Sequence, residues 1–168
     1  MTTPTDSGHV AALADKLGPV RFAMFTTADQ HGHLISHPMT LQLTDDGGGL
    51  WFYTATTAPL WENIAHNPEV NLSFARPDDM LFVSVSGRAE RVVDRERIRD
   101  LWNVGVQAWF PAGPEDEHVV LVRVDPHAAA YWDSKESKMV RLFEYARAAF
   151  TGNRPDVEPG EHGTIPLD

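Results

Sequence analysis

Six short runs of β-branched and aromatic residues, separated by tight-turn chemistry, constrain this chain more than any other feature. VRFAMFTT, HLISHPMTLQL, LWFYTA, EVNLSFA, MLFVSVSGRAERV and HVVLVRV each read as a strand. Asp29-Gln30-His31-Gly32 and Asp45-Asp46-Gly47-Gly48-Gly49 are turn sequences between the first runs. Links this short make neighbouring strands antiparallel hairpins. A small antiparallel barrel is the expected architecture, because closing the sheet removes its edges. Pro38 inside the second run predicts a bulge or a frayed edge, where a ligand can approach backbone groups.

Helical patterns interrupt the strands. Val10, Leu13, Ala14 and Leu17 fall at helical spacing before Gly18-Pro19. Thr57-Ala58-Pro59 opens a second helix that stops at Asn67-Pro68. Asp94 opens a third, through Phe110, and Ser137 a fourth, ended by Gly152, with Met139, Leu142, Phe143, Ala146 and Phe150 on one face. Residues 1–7 are expected to be a flexible N-terminus, 8–152 a single barrel domain, and 153–168, rich in proline and glycine, a disordered tail or one draped over a partner.

The 168 residues include no cysteine, which excludes disulfides, thiolate metal sites and thiol nucleophiles. A formal charge of -10 argues against nucleic acid and anionic membrane as partners. With no apolar run of spanning length and no signal-peptide pattern at the N-terminus, the expected location is cytoplasmic.

Between Arg21 and Arg76 there is neither lysine nor arginine, yet four histidines stand there: His31, His33, His37 and His66. His31, His33 and His37 share strand parity, and three imidazoles can make an open zinc site. His31 and His33 straddle a turn glycine, however, where strand parity does not hold, so no metal site is expected. No serine–histidine–acid arrangement with a nucleophile elbow, phosphate-cradling glycine loop or framed carboxylate pair is present.

FAMFTTADQHGHLISHPMTLQL, GLWFYTATTAPLWENIAHNPEVNLSFARP, VSVSGRAERVVDRERIRDLWN, QAWFPAGP and YWDSKESKMVRLFEYA follow one another in an order and spacing that resemble the general-stress-protein branch of the pyridoxamine 5'-phosphate oxidase-like proteins. The resemblance spans about Leu17 to Gly152. It implies a mainly β, six-stranded antiparallel split barrel with peripheral helices. It further implies a homodimer that holds FMN in a groove between subunits and uses it for redox chemistry on a small molecule. Binding of a related flavin, a deazaflavin or haem without catalysis, and a barrel that has lost its flavin, are the alternatives.

Carried onto this chain, the family's Arg-Pro-Met strand becomes His37-Pro38-Met39, with Thr40 following. Its aromatic-Thr-Ser strand end becomes Tyr53-Thr54-Ala55-Thr56, with a helix starting near Thr57. The family's two phosphate-attending cations correspond to His37 and Leu60. Two uncompensated charge-assisted hydrogen bonds would cost about two to four orders of magnitude in affinity. Thr54, Thr56, Thr57, the helix start and a protonated His37 are the candidate replacements. The resemblance also puts Trp132 near the dimer groove, with Lys135 and Lys138 as cations reaching in from the second subunit. Arg141-Leu142-Phe143-Glu144-Tyr145 lacks the histidine and second arginine of the true oxidases, so pyridoxamine-phosphate oxidase activity itself is not expected.

Overall fold

The structure is a computed structural model, which describes residues 4–18, 20–133 and 161–166. Helix α1 (Pro4–Leu17) precedes strands β1 (Phe22–Ala28), β2 (Leu34–Thr40), β3 (Leu43–Thr44) and β4 (Leu50–Ala55). Then come α2 (Pro59–His66), β5 (Glu69–Arg76), a 3-10 turn at Pro77–Asp79, β6 (Leu81–Val92), α3 (Arg95–Asp100), α4 (Val104–Trp109), β7 (Val119–Asp133) and β8 (Glu161–Pro166). The strands form one antiparallel sheet in the order β2-β1-β5-β6-β7-β4-β3, with β8 on β7.

The sheet curls because one strand changes partner. β2 pairs with β1 from Leu34↔Ala28 to Thr40↔Phe22, and β3 then pairs with β4 at Leu43↔Trp51. At the handover Leu41 N–H donates to Arg21 O (2.7 Å) and Gln42 N–H to Trp51 O (2.9 Å). β2 and β3 are thus halves of one bent strand, and the six-stranded split barrel expected from the sequence is present. Pro38 sits in regular register opposite Met24 on the outermost strand of this path, where a missing N–H breaks no ladder. The bulge lies elsewhere, at Ser86/Gly87 opposite Pro126. There a Cβ on residue 87 would stand 2.5 Å from Asp125 O, which restricts the position to glycine.

Two cores follow from the alternation. Phe25, Leu50, Phe52, Leu72, Phe74, Val85, Val120 and Val122 fill the barrel, and Leu13, Leu17, Leu60 and Ile64 of α1 and α2 join them. Trp51, Tyr53, Val119 and Leu121 point the other way and pack with Ile98 and Val106 of α3 and α4. LWFYTA and VVLV read as continuous apolar runs because those strands are covered on both faces.

Three sequence-based boundaries are corrected. α1 begins at Pro4, a first-turn position that proline tolerates, so residues 4–7 belong to a helix rather than to a flexible end. The stretch from Asp94 to Phe110 is two helices, because Asn103 takes extended backbone and its side chain accepts from Val106 N–H, capping α4. Residues 161–166 form β8 against Ala128–Asp133, in place of a wholly disordered tail; they satisfy the β7 edge beyond the end of β4. The helix expected from Ser137 lies outside the described residues.

Candidate functional site

β1 ends, β2 begins and β4 ends at the same end of the barrel, and α2 packs there against β1 and β4. Strand parity sends Ile35, His37 and Met39 toward the barrel, with His37 opposite Phe25. His37 is half-buried, and its Nδ1 is enclosed without a hydrogen-bond partner. Leaving such a group unsatisfied costs about 1–3 kcal/mol, and because protein atoms enclose Nδ1 a ligand does not reach it without movement.

Thr54, which shares parity with Leu50 and Phe52, is buried at the end of β4. The chain then turns: Thr56 N–H donates to His118 O (2.9 Å) and Thr56 Oγ1 meets His118 Nδ1 at 2.9 Å. Thr57 is exposed. Ala58, the residue capping α2, offers no side-chain acceptor, but Pro59 has no N–H and Trp61 N–H donates to Ala58 O (3.0 Å), so the first turn offers a ligand at most the Leu60 N–H. The interior of this end is polar at one further point, where Asn63 Nδ2 donates to Thr27 Oγ1 (3.0 Å) with both residues buried. The sequence signal for that pair was an asparagine within the apolar stripe Leu60–Ile64 of α2.

Thr54, Thr56 and Thr57 lie together where β4 gives way to α2, while His37 sits mid-strand opposite Phe25 and Met39 nearer the start of β1, opposite Ala23. Tyr53 contributes backbone only. Its ring lies in the outer cluster, edge-on to Trp102 (5.6 Å), and its hydroxyl donates to Ile98 O (2.5 Å). Burial, with the nearby Asp100 charge second, pushes the phenol up to about 12. Leu60 is buried in the barrel core rather than turned to the groove. His31 and His33 stay in the exposed β1–β2 turn, where Asp29 Oδ1 accepts from both backbone amides (2.8 and 2.9 Å), so they do not converge with His37.

Pro38 and Thr40 take the opposite parity and belong to the outer face of the sheet. That face continues through Phe22, Met24 and Thr26 on β1, Asn71 and Ser73 on β5, Phe82, Ser84 and Ser86 on β6, and Ala130 and Trp132 on β7. None of these side chains is charged. Asn71 Nδ2 donates to Ser84 Oγ (2.9 Å), and Thr26 Oγ1 and Ser36 Oγ share a hydrogen bond of 2.7 Å. Phe22 is 70% exposed and Trp132 50%, which is a large apolar area to leave in water. Trp132 stands on β7, with β1, β5 and β6 between it and β2, and on the other face, so one chain does not bring it to His37. Lys138 lies outside the described residues.

The family model described as pyridoxamine 5'-phosphate oxidase like matches residues 8–156. Protein bli-3 of Neurospora crassa is 32% identical over 142 residues, covering 79% of this chain and 68% of its own. A general stress protein 26 from a Jannaschia species superimposes with a TM-score of 0.68 at 31% identity, covering 93% of this chain and 99% of the other. The general stress FMN/FAD binding protein of Xanthomonas citri gives 0.65 at 29% identity, over 77% and 92%. With its split barrel and a match across nearly all its length, the chain belongs to the pyridoxamine 5'-phosphate oxidase-like family.

Proposed function

We propose that this protein is a cytoplasmic homodimer that binds FMN at the α2 end of each barrel and uses it to oxidise or reduce a small molecule. His37 carries this reading, because it is the one polar side chain that β2 turns toward the barrel. Its position on the His37-Pro38-Met39 strand, and a 29% identical relative that binds FMN or FAD, support the choice of a flavin.

His37, the hydroxyls of Thr54, Thr56 and Thr57 and the Leu60 N–H would be the donors to the FMN phosphate. Backbone groups of Pro38, Met39 and Thr40, and of Tyr53 and Thr54, would hold the ring system. The partner subunit's Trp132 and Lys138 would complete the groove, since Trp132 cannot reach it within one chain. The outer face around Asn71 and Ser84, with Phe22, Phe82 and Trp132 along one row, suits an isologous contact between two copies. When bound, the flavin supplies the electron chemistry; the protein supplies binding, orientation and exclusion of water.

An absorbance spectrum of the purified protein, with mass spectrometry of whatever it carries, tests the reading. Flavin absorbance with an FMN mass, or its appearance on adding FMN, is the expected result. A protein that stays colourless after FMN is added and the excess removed by gel filtration contradicts it.

A further inference from the structure

We propose that the β1–β2 turn is a site for a divalent transition-metal ion, with Nε2 of His31 and Nε2 of His33 as its two protein ligands. Neither residue enters the flavin reading.

The turn is built so that two imidazoles come together. Asp29 organises it: its N–H donates to His33 O (2.9 Å) and its O accepts from Gly32 N–H (3.0 Å). Its Oδ1 accepts from the amides of His31 (2.8 Å) and His33 (2.9 Å). Gly32 holds a left-handed φ of +81°, a conformation that favours glycine, and so reverses the chain between the two histidines. Their ring centres stand 5.9 Å apart, with the rings tilted by 44°. Two imidazoles bound to one ion at about 2.0–2.1 Å per nitrogen have ring centres at most about 6.4 Å apart. The observed spacing falls inside that span. Because the hydrogen bonds of the turn fix it in advance, little ordering is left for the ion to impose.

The partners of each ring leave the ligating nitrogen with its lone pair. His33 Nδ1 meets Asp29 Oδ2 at 3.2 Å; a carboxylate only accepts, so Nδ1 carries the ring proton and Nε2 is the free base. A carboxylate on the far nitrogen orients an imidazole ligand and raises its basicity. The Gln30 side-chain amide nitrogen, a donor, stands 3.4 Å from His31 Nε2, a long contact that an ion would displace. Both histidines are exposed, so the ion has open access.

Imidazole suits zinc, nickel and copper, whereas magnesium and calcium take oxygen ligands. No group of three or more metal-ligating side chains is placed to hold an ion among the described residues, so water would fill the remaining positions. Such a site is an exchangeable surface one, unlike a closed structural centre with four protein ligands. His118 and His127 stand beside Glu117 and Glu69, and neither has a second imidazole in contact among the described residues.

Nickel(II) alone, added to the untagged full chain in a buffer that does not bind metals, tests the site. Backbone amides are followed by two-dimensional NMR, because the paramagnetic ion broadens the signals nearest to it. At neutral pH the wild type and H127Q should both show broadening centred on residues 29–34. H31Q and H33Q should each weaken uptake at least about tenfold, the lower end of what even a change in an outer partner costs. Both substitutions lie in an exposed turn whose hydrogen bonds run through Asp29 and the backbone, so the fold does not depend on them. Broadening centred elsewhere, an undiminished response in H31Q or H33Q, or a response lost in H127Q overturns the proposal. So does a wild type that shows no local broadening with nickel in large excess.

Discussion

Asp45 shows how one side chain can organise a turn and two strands. Its Oδ1 accepts from the amides of Gly47 (3.0 Å) and Gly49 (2.8 Å), and its Oδ2 from Trp51 Nε1 (2.8 Å) and Arg123 Nε (2.9 Å). The Arg123 guanidinium lies so close to Gly49 that a Cβ there would come within 2.5 Å of it. Burial opposes the charge on Asp45, yet the hydrogen bonds from Arg123, Trp51 and Gly49 outweigh it and hold the carboxyl below its ordinary range. Because the value is depressed in the folded state, the stabilisation is present above the unfolded carboxyl's range and is lost as pH falls through the folded one. Asp45→Ala, which strands four donors, should lower unfolding stability by about 2–3 kcal/mol at neutral pH. The deficit relative to wild type should shrink in acid. Urea unfolding at both pH values checks this, with the m-value unchanged.

At the scale of elements, alternation made the barrel legible. Ala23, Phe25 and Thr27 against Phe22, Met24 and Thr26 already divide β1 into an inner and an outer face. What stayed hidden were features decided by partners distant in sequence. Tyr53 reads like any aromatic next to the Thr54 motif, and only the arrival of Ile98 and Trp102 shows that its ring turns away. The family resemblance assigns position 60 to a cation, yet the α2 stripe buries Leu60 in the core. His37 drew notice through its neighbours Pro38 and Met39; the enclosure of its Nδ1 was not legible, since burial is set by residues that only folding brings beside it. The break between α3 and α4 was written in Asn103, a capping residue inside an otherwise helical pattern. Asn103 Nδ2 also donates to Gln42 Oε1 (2.9 Å), tying α4 to the corner where the bent strand changes partner. Asn103→Ala should therefore cost about 1 kcal/mol. Faster hydrogen exchange is expected in α4, with β5 and β6 unaffected; equal acceleration throughout the sheet would contradict a local role.

For the whole molecule, the two faces of the sheet have separate tasks. The inner face carries His37 and Thr54, while the outer face carries hydroxyls and aromatics around Asn71 and Ser84 with the ion pair Glu69–Arg88 beside them. On the proposed reading the pocket is completed only when a second copy covers that face, so flavin binding and dimerisation are one event seen from two sides. Sedimentation velocity followed at the flavin absorbance, at mildly acid pH with FMN added, tests this most directly. The account predicts that bound flavin sediments with a species of twice the chain mass, at one flavin per chain. Flavin that remains at the free-ligand boundary, or that travels with a single chain, would contradict it.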